Sequence, residues 1–169
     1  MVVLSENVCE VEGNLIDLAF EGRFDLIAHG CNCHKIMGAG IAKEIKERIP
    51  EAYDIDYRDS RFSISKLGCF STTAILRKVR ETDNGVFFLT VLNLYTQYNP
   101  GANLDYEALT LCLRKVNMMY KNCHIGLPYI GAGIAGGDWN RILLIIKEEL
   151  KDKKVTIVQY NKNEVWYTD

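Results

Sequence analysis

The apolar positions of this chain change rhythm along its length. Strand-length clusters of branched, aliphatic and aromatic residues occupy positions 8–11, 24–30, 69–76, 86–95, 124–130 and 155–159, and such side chains suit a pleated surface buried on one or both faces. Between them, apolar residues recur every three or four positions, the spacing of one helix face. Met37, Ile41, Ile45 and Ile49 form one such stripe, which Pro50 is expected to close. Leu109, Cys112, Leu113, Val116 and Tyr120 form a second within 105–121, and Ile142, Leu143, Ile146 and Leu150 a third within 139–150. Asp83-Asn84-Gly85 predicts the turn between two adjacent strands. Strands alternating with helices predict an α/β fold with a mixed, mostly parallel sheet covered on both faces. No linker, low-complexity tract or long charge run divides the chain, so residues 1–169 read as one domain.

Two of the predicted strands lead into the same five residues. Gly38-Ala39-Gly40-Ile41-Ala42 follows the strand at 24–30, and Gly131-Ala132-Gly133-Ile134-Ala135 follows the strand at 124–130. Glycine lacks a Cβ, so another molecule can approach the backbone closely and several amides can converge on one point. Helix entry adds unpaired N–H groups that favour negative charge. In open α/β sheets ligands bind beyond the carboxyl ends of the strands, where both loops fall. The pair predicts a clamp for phosphate. Neither loop continues as Gly-Lys-Ser/Thr, and neither fits the Gly-x-Gly-x-x-Gly dinucleotide fingerprint.

Composition narrows the setting. The chain has 169 residues, 48% of them hydrophobic, enough for a core without metal or disulfide staples. A formal charge of -2 gives nucleic acid or membrane no overall basic field, so neither is expected as a partner. The first residues turn acidic too soon for a secretory signal, and no apolar run approaches the ~20 residues of a membrane span. A monomeric cytoplasmic protein with six reduced cysteines is expected.

Chemically capable side chains crowd His29-Gly30-Cys31-Asn32-Cys33-His34. Cys31, Cys33 and His34 are conceivable metal ligands, but the only other candidate pair, Cys123-His124, alternates across a strand, and no Cys-x-x-Cys spacing occurs. No metal and no cofactor are expected. A cysteine activated by His29 or His34 is weighed against small apolar thiols beside a phosphate loop, and the second reading is preferred. Asn32 suits either a sugar hydroxyl or a turn. Asp138 reads as a helix N-cap. Thr96, Gln97, Tyr98 and Asn99 lie on a third loop at the same sheet edge.

Ala28-His29-Gly30-Cys31-Asn32-Cys33 with Met37-Gly38-Ala39-Gly40-Ile41-Ala42 resembles the first ligand loop of macro domains, and Leu127-Pro128-Tyr129-Ile130-Gly131-Ala132-Gly133-Ile134 before Trp139 resembles their second. Gly13-Asn14-Leu15 is similar to the early Gly-Asp-Ile/Leu motif, with asparagine in place of aspartate. The resemblance spans roughly residues 8 to 160 and is strongest to the branch containing the yeast ADP-ribose 1''-phosphate phosphatase, together with small phage-encoded relatives.

The resemblance implies a three-layer α/β/α sandwich that binds ADP-ribose and hydrolyses its 1''-phosphate; removal of ADP-ribose from protein or nucleic acid, or non-catalytic reading of it, are the alternatives. It places Gly13, Asn14 and Leu15 near the adenine, with Asn14 accepting from its amino group and Tyr160 or Asn161 close by. Met37, Gly38, Ala39, Gly40 and Ile41, with Ile130, Gly131, Ala132, Gly133, Ile134 and Ala135, would hold the diphosphate and distal ribose; Asn32, Thr96 and Gln97 would adjoin that ribose. His29 is the leading catalytic candidate, aided by Asn32 and His34, and is alternatively a satisfied core residue. Gln97 and Ala135 stand where de-ADP-ribosylating relatives carry a lysine and an aspartate, a departure that favours phosphatase chemistry.

Overall fold

A computed structural model describes residues 1–78 and 85–160. Its elements run β1 (Val2–Val3), β2 (Val8–Gly13), α1 (Leu15–Phe20), β3 (Leu26–Cys31), α2 (Gly40–Arg48), α3 (Pro50–Arg58), α4 (Ser63–Lys66), β4 (Phe70–Lys78), β5 (Val86–Tyr95), α5 (Tyr106–Met119), β6 (His124–Leu127), α6 (Trp139–Glu149) and β7 (Lys154–Tyr160). The strands form one sheet in the order β1-β2-β7-β6-β3-β5-β4. The five central strands are parallel, and β1 and β4 close the two edges antiparallel. This is the expected mixed α/β sheet.

Side-chain alternation along the strands builds a core on each face. Leu26 and Ala28 of β3 and Leu92 and Leu94 of β5 join Leu109, Leu113 and Val116 of α5 and Ile142 and Ile146 of α6. Ile27 and Val91, one register position over, join Ile16 of α1, Ile45 of α2 and Ala52 of α3. The second and third sequence stripes thus face the same layer, and Ile41, Ile45 and Ile49 of the first face the other.

Several boundaries differ from the sequence reading. Pro50 does close α2, yet it also opens α3 as its first residue, where its fixed φ suits the first turn and its missing N–H costs nothing. Met37 precedes α2 and packs with Cys31, Cys33 and Tyr95. Strand β6 ends at Leu127, because Pro128 has no N–H for a ladder bond and its carbonyl instead accepts from Ile130 N at 2.7 Å. Asp138 caps α6 by accepting from Asn140 N at 3.0 Å, and Asp105 caps α5 by accepting from Ala108 N at 3.0 Å. Asp83 and Asn84 of the predicted turn, and Asn161, lie outside the described residues. No described helix is long and apolar enough to cross a membrane.

Candidate functional site

The carboxyl ends of all five parallel strands point to one edge, and the segments leaving them enclose a cleft with two lobes. A smaller lobe of about 330 Å³ is lined by Gly30, Asn32, Thr96 and Gln97 together with residues of both glycine loops. A larger lobe of about 800 Å³ is lined by Gly13, Asn14, Leu15, Glu44, Glu47 and Tyr160. Gly38, Ala39, Gly40, Ile41, Pro128, Tyr129 and Ile134 line both lobes, so the two glycine loops form the wall that they share.

The backbone of that wall is rich in available donors. Gly40 opens α2 at φ 56°, and Ala39 at the N-cap offers no side-chain acceptor to the first turn. In the second loop Gly131 sits at φ 75°, and Gly137 N donates to its carbonyl at 2.7 Å, which folds the loop back on itself. The amides of Gly38, Ala39, Gly133, Ile134 and Ala135 donate to no acceptor among the described residues. Five such N–H groups on one cleft wall make a site for an anion.

The side chains of the smaller lobe are mostly committed elsewhere. Asn32, 9% exposed, accepts from His34 N at 2.9 Å and donates to Ile36 O at 2.8 Å, so the turn reading of this residue holds. Gln97 Nε2 donates to Asn99 O at 2.7 Å and Gly101 O at 2.9 Å, fixing the third loop. Gln97 and Ala135 both line this lobe, and among the described residues its lining contains no lysine, histidine, aspartate or glutamate.

His29 does not reach the cleft. The ring is 0% exposed, and its Nε2 lies 2.6 Å from Asn93 Oδ1. Asn93 Nδ2 donates to Ala52 O and Ser71 Oγ, which fixes the amide and places the imidazole proton on Nε2. Burial lowers the His29 pKa to about 4, partly offset by the Asn93 bond, so the ring is neutral near pH 7. The expected catalytic histidine is therefore a satisfied interior residue under α3. His34 is exposed, lies edge-on to Tyr98 and sits 3.2 Å from Asn99 Oδ1, and it lines neither lobe. Met37 and Ala132, expected at the ligand, likewise line neither; both pack inward.

The thiols of Cys31, Cys33 and Cys112 are unactivated. Burial pushes the Cys33 thiol up to about 11 and Cys112 to about 12, and raises Cys31 well above its ordinary value. Among the described residues no three His, Cys, Asp or Glu side chains are grouped to hold a metal ion.

In the larger lobe Asn14 has a different task from the one expected. Its Oδ1 caps α1 by accepting from Ile16 N at 2.9 Å and Asp17 N at 3.0 Å, which leaves it poorly placed to accept from a base. Its Nδ2 donates to Glu44 Oε1 at 2.8 Å, and Arg48 donates to the same oxygen at 2.9 Å. Glu44, 6% exposed, keeps Oε2 buried with no partner among the described residues. Glu44 and Tyr129 are among the lining residues that the sequence reading passed over. Tyr129 stacks on Trp139 at 4.3 Å and reaches Glu10, an arrangement that needs three separate elements. Glu44 sits between the apolar positions Ile41 and Ile45 of α2, which was the one available signal.

No protein-family model matches the chain. It is 33% identical over 155 residues to the uncharacterized 17.5 kDa protein in the tk-vs intergenic region of Enterobacteria phage T4, covering 89% of this chain and 94% of the phage protein. Among solved structures it is similar to Thermosipho africanus DarTG in complex with ADP-ribose, at TM-score 0.70 and 16% identity over 98% of this chain and 44% of that one. It is also similar to the macrodomain of Thermus aquaticus DarG, at TM-score 0.65 and 20% identity over 91% and 97% of the two chains. A third of its residues shared with the phage protein along nearly the whole of both chains, on the fold of the DarG macrodomain, establish that the chain belongs to the macrodomain family.

Proposed function

We propose that the cleft holds ADP-ribose and that the chain hydrolyses the phosphate ester at the 1'' position of its distal ribose. The adenosine half occupies the larger lobe, the diphosphate lies along the shared wall, and the distal ribose enters the smaller lobe. The observation that carries this reading is the set of five unpartnered amides at Gly38, Ala39, Gly133, Ile134 and Ala135. The same-fold DarTG of T. africanus is a complex with ADP-ribose, which supports the ligand class. Glu44 Oε2 offers an acceptor to the exocyclic amine of adenine, the role that Asn14 was expected to take.

Phosphoryl transfer through a loose transition state asks a protein mainly for positioning and charge stabilisation. Water attacks phosphorus, the bond to the ribose oxygen breaks, and ADP-ribose leaves with that oxygen, protonated from solvent. Cleavage of an ADP-ribosyl bond by a lysine or carboxylate has no such group to run on among the described residues that line the smaller lobe.

The test pairs calorimetric titration of ADP-ribose with a phosphate-release assay on the 1''-phosphate. Binding is expected in the micromolar range, about -7 to -8 kcal/mol. A Cβ at Gly133 meets nothing within 4 Å and its φ needs no glycine, so Gly133→Glu should fold normally and lose binding. Wild-type affinity in that variant would refute the anion clamp. Binding without phosphate release would leave a reader of ADP-ribose in place of an enzyme.

A further inference from the structure

Away from the cleft lining, the chain entering β4 is pressed against α5. Gly68 sits at φ 82°, and a Cβ there would meet Leu111 at 3.2 Å and stand 3.8 Å from Ala108 Cα. A glycine in this conformation lets the backbone come so close to a helix. The approach carries the next residue, Cys69, onto the part of α5 that bears Cys112 and Lys115. Lys115 Nζ donates to Gly68 O at 3.0 Å and to Cys69 Sγ at 3.2 Å. Cys112 Sγ donates to Cys69 O at 3.2 Å. None of these three side chains lines either lobe.

The two thiols stand in unlike settings. Cys69 is partly exposed and has an ammonium at its sulfur, the kind of neighbour that makes a cysteine nucleophilic. Cys112 is 0% exposed and keeps its proton, since burial pushes its thiol up to about 12. Of the other partly exposed thiols, Cys9 Sγ meets Thr156 Oγ1 at 3.4 Å, and burial raises Cys123. An accessible sulfur beside a cation, with a second thiol touching the same residue, suits reaction with a peroxide.

We infer that Cys69 and Cys112 are a peroxide-reactive pair that closes to a disulfide, with Lys115 readying the Cys69 sulfur. In the first step that sulfur attacks one oxygen of hydrogen peroxide. The S–O bond forms as the O–O bond breaks, and hydroxide leaves with the thiol's proton as water. Cys69 is then a sulfenic acid. The Cys112 sulfur attacks the Cys69 sulfur, the S–S bond forms and the S–O bond breaks. Hydroxide takes the Cys112 proton as a second water. The two thiols are oxidised and the peroxide is reduced, with no further reactant. Contact between Cys112 and residue 69 supplies the proximity that an unactivated thiol needs.

The experiment treats wild type, Cys69→Ser, Cys112→Ser, Lys115→Met and Lys115→Arg with hydrogen peroxide and follows intact and peptide masses. Circular dichroism checks that each variant is folded. Wild type should lose the mass of two hydrogen atoms and yield a peptide cross-linked between 69 and 112, reversed by a dithiol. Cys112→Ser should instead gain one oxygen at Cys69, in a form that dimedone traps, and Cys69→Ser should show neither change. Lys115→Met should react about tenfold more slowly, the worth of one hydrogen bond to a charged group, and Lys115→Arg should recover most of the rate. A disulfide between any other two cysteines, six unchanged thiols, or a Lys115→Met rate equal to that of wild type overturns the inference. Should Lys115→Met fail to fold, the wild-type cross-link and the Cys112→Ser adduct still decide it.

Discussion

His29 and Glu44 show opposite fates of ionisable residues near one cleft. His29 sits wholly inside, and its pKa of about 4 lies below the usual 6.5 of an unfolded histidine. The folded chain therefore holds fewer protons than the unfolded one between those values. Stability from this group is complete above about pH 6.5 and falls as pH drops towards 4, by at most roughly 3 kcal/mol at about 1.4 kcal/mol per pH unit. Denaturant melts at pH 7 and pH 5 should show that loss in wild type, and His29→Gln should show less of it. An equal loss in both proteins would place the proton elsewhere. Folded His29→Gln should also keep phosphate release within about tenfold of wild type, since a removed general acid or base costs about 10² or more. Glu44 explains the asparagine at 14. An aspartate there would cap α1 equally well, but its second oxygen would face Glu44 Oε1 across 2.8 Å, where Asn14 now donates a proton.

At the scale of elements, the strands and long helices were legible because their apolar spacing is regular, and both Gly-Ala-Gly segments mark the cleft wall. The roles of individual glycines were not legible. Gly133 is open on its Cβ side, whereas a Cβ at Gly137 would come within 2.6 Å of Gly131 O and still closer to Leu104. Their difference depends on Leu104, which arrives from another segment. Gly133→Ala should melt within a degree or so of wild type. Gly137→Ala should lose about 1–3 kcal/mol by overpacking, several degrees for a chain of this size. Equal melting temperatures would mean that the second loop adjusts freely and does not hold its amides in place. The sequence also hid α3, because a proline between two helical stripes reads as an end. That element supplies Ala52 O to Asn93, which in turn holds His29. Missing α3 is why the sequence left His29 open between a catalytic residue and a satisfied core residue.

For the whole molecule, the two lobes matter only if one ligand spans both. A ligand that binds the folded chain alone stabilises it by about 2.7 kcal/mol at a hundredfold excess over its Kd. With a Kd of about 10 µM, ADP-ribose at about 1 mM should raise the melting temperature by roughly 5–10 °C. AMP reaches the larger lobe alone and ribose 5-phosphate the smaller alone, and each forgoes the gain of linkage. Each should move the transition by about 2 °C or less at the same concentration. The hypoxanthine analogue of ADP-ribose reaches both lobes but presents a carbonyl oxygen where adenine presents its amine. Against the unpartnered Glu44 Oε2 that pairs acceptor with acceptor, so its shift should fall well below that of ADP-ribose, and Glu44→Gln should narrow the gap because its amide can donate. A scan of all four ligands against wild type and Glu44→Gln separates the claims. Equal shifts from AMP and ADP-ribose would remove the distal ribose from the smaller lobe. Equal shifts from the adenine and hypoxanthine forms would remove Glu44 from base recognition and leave the two-lobed cleft standing.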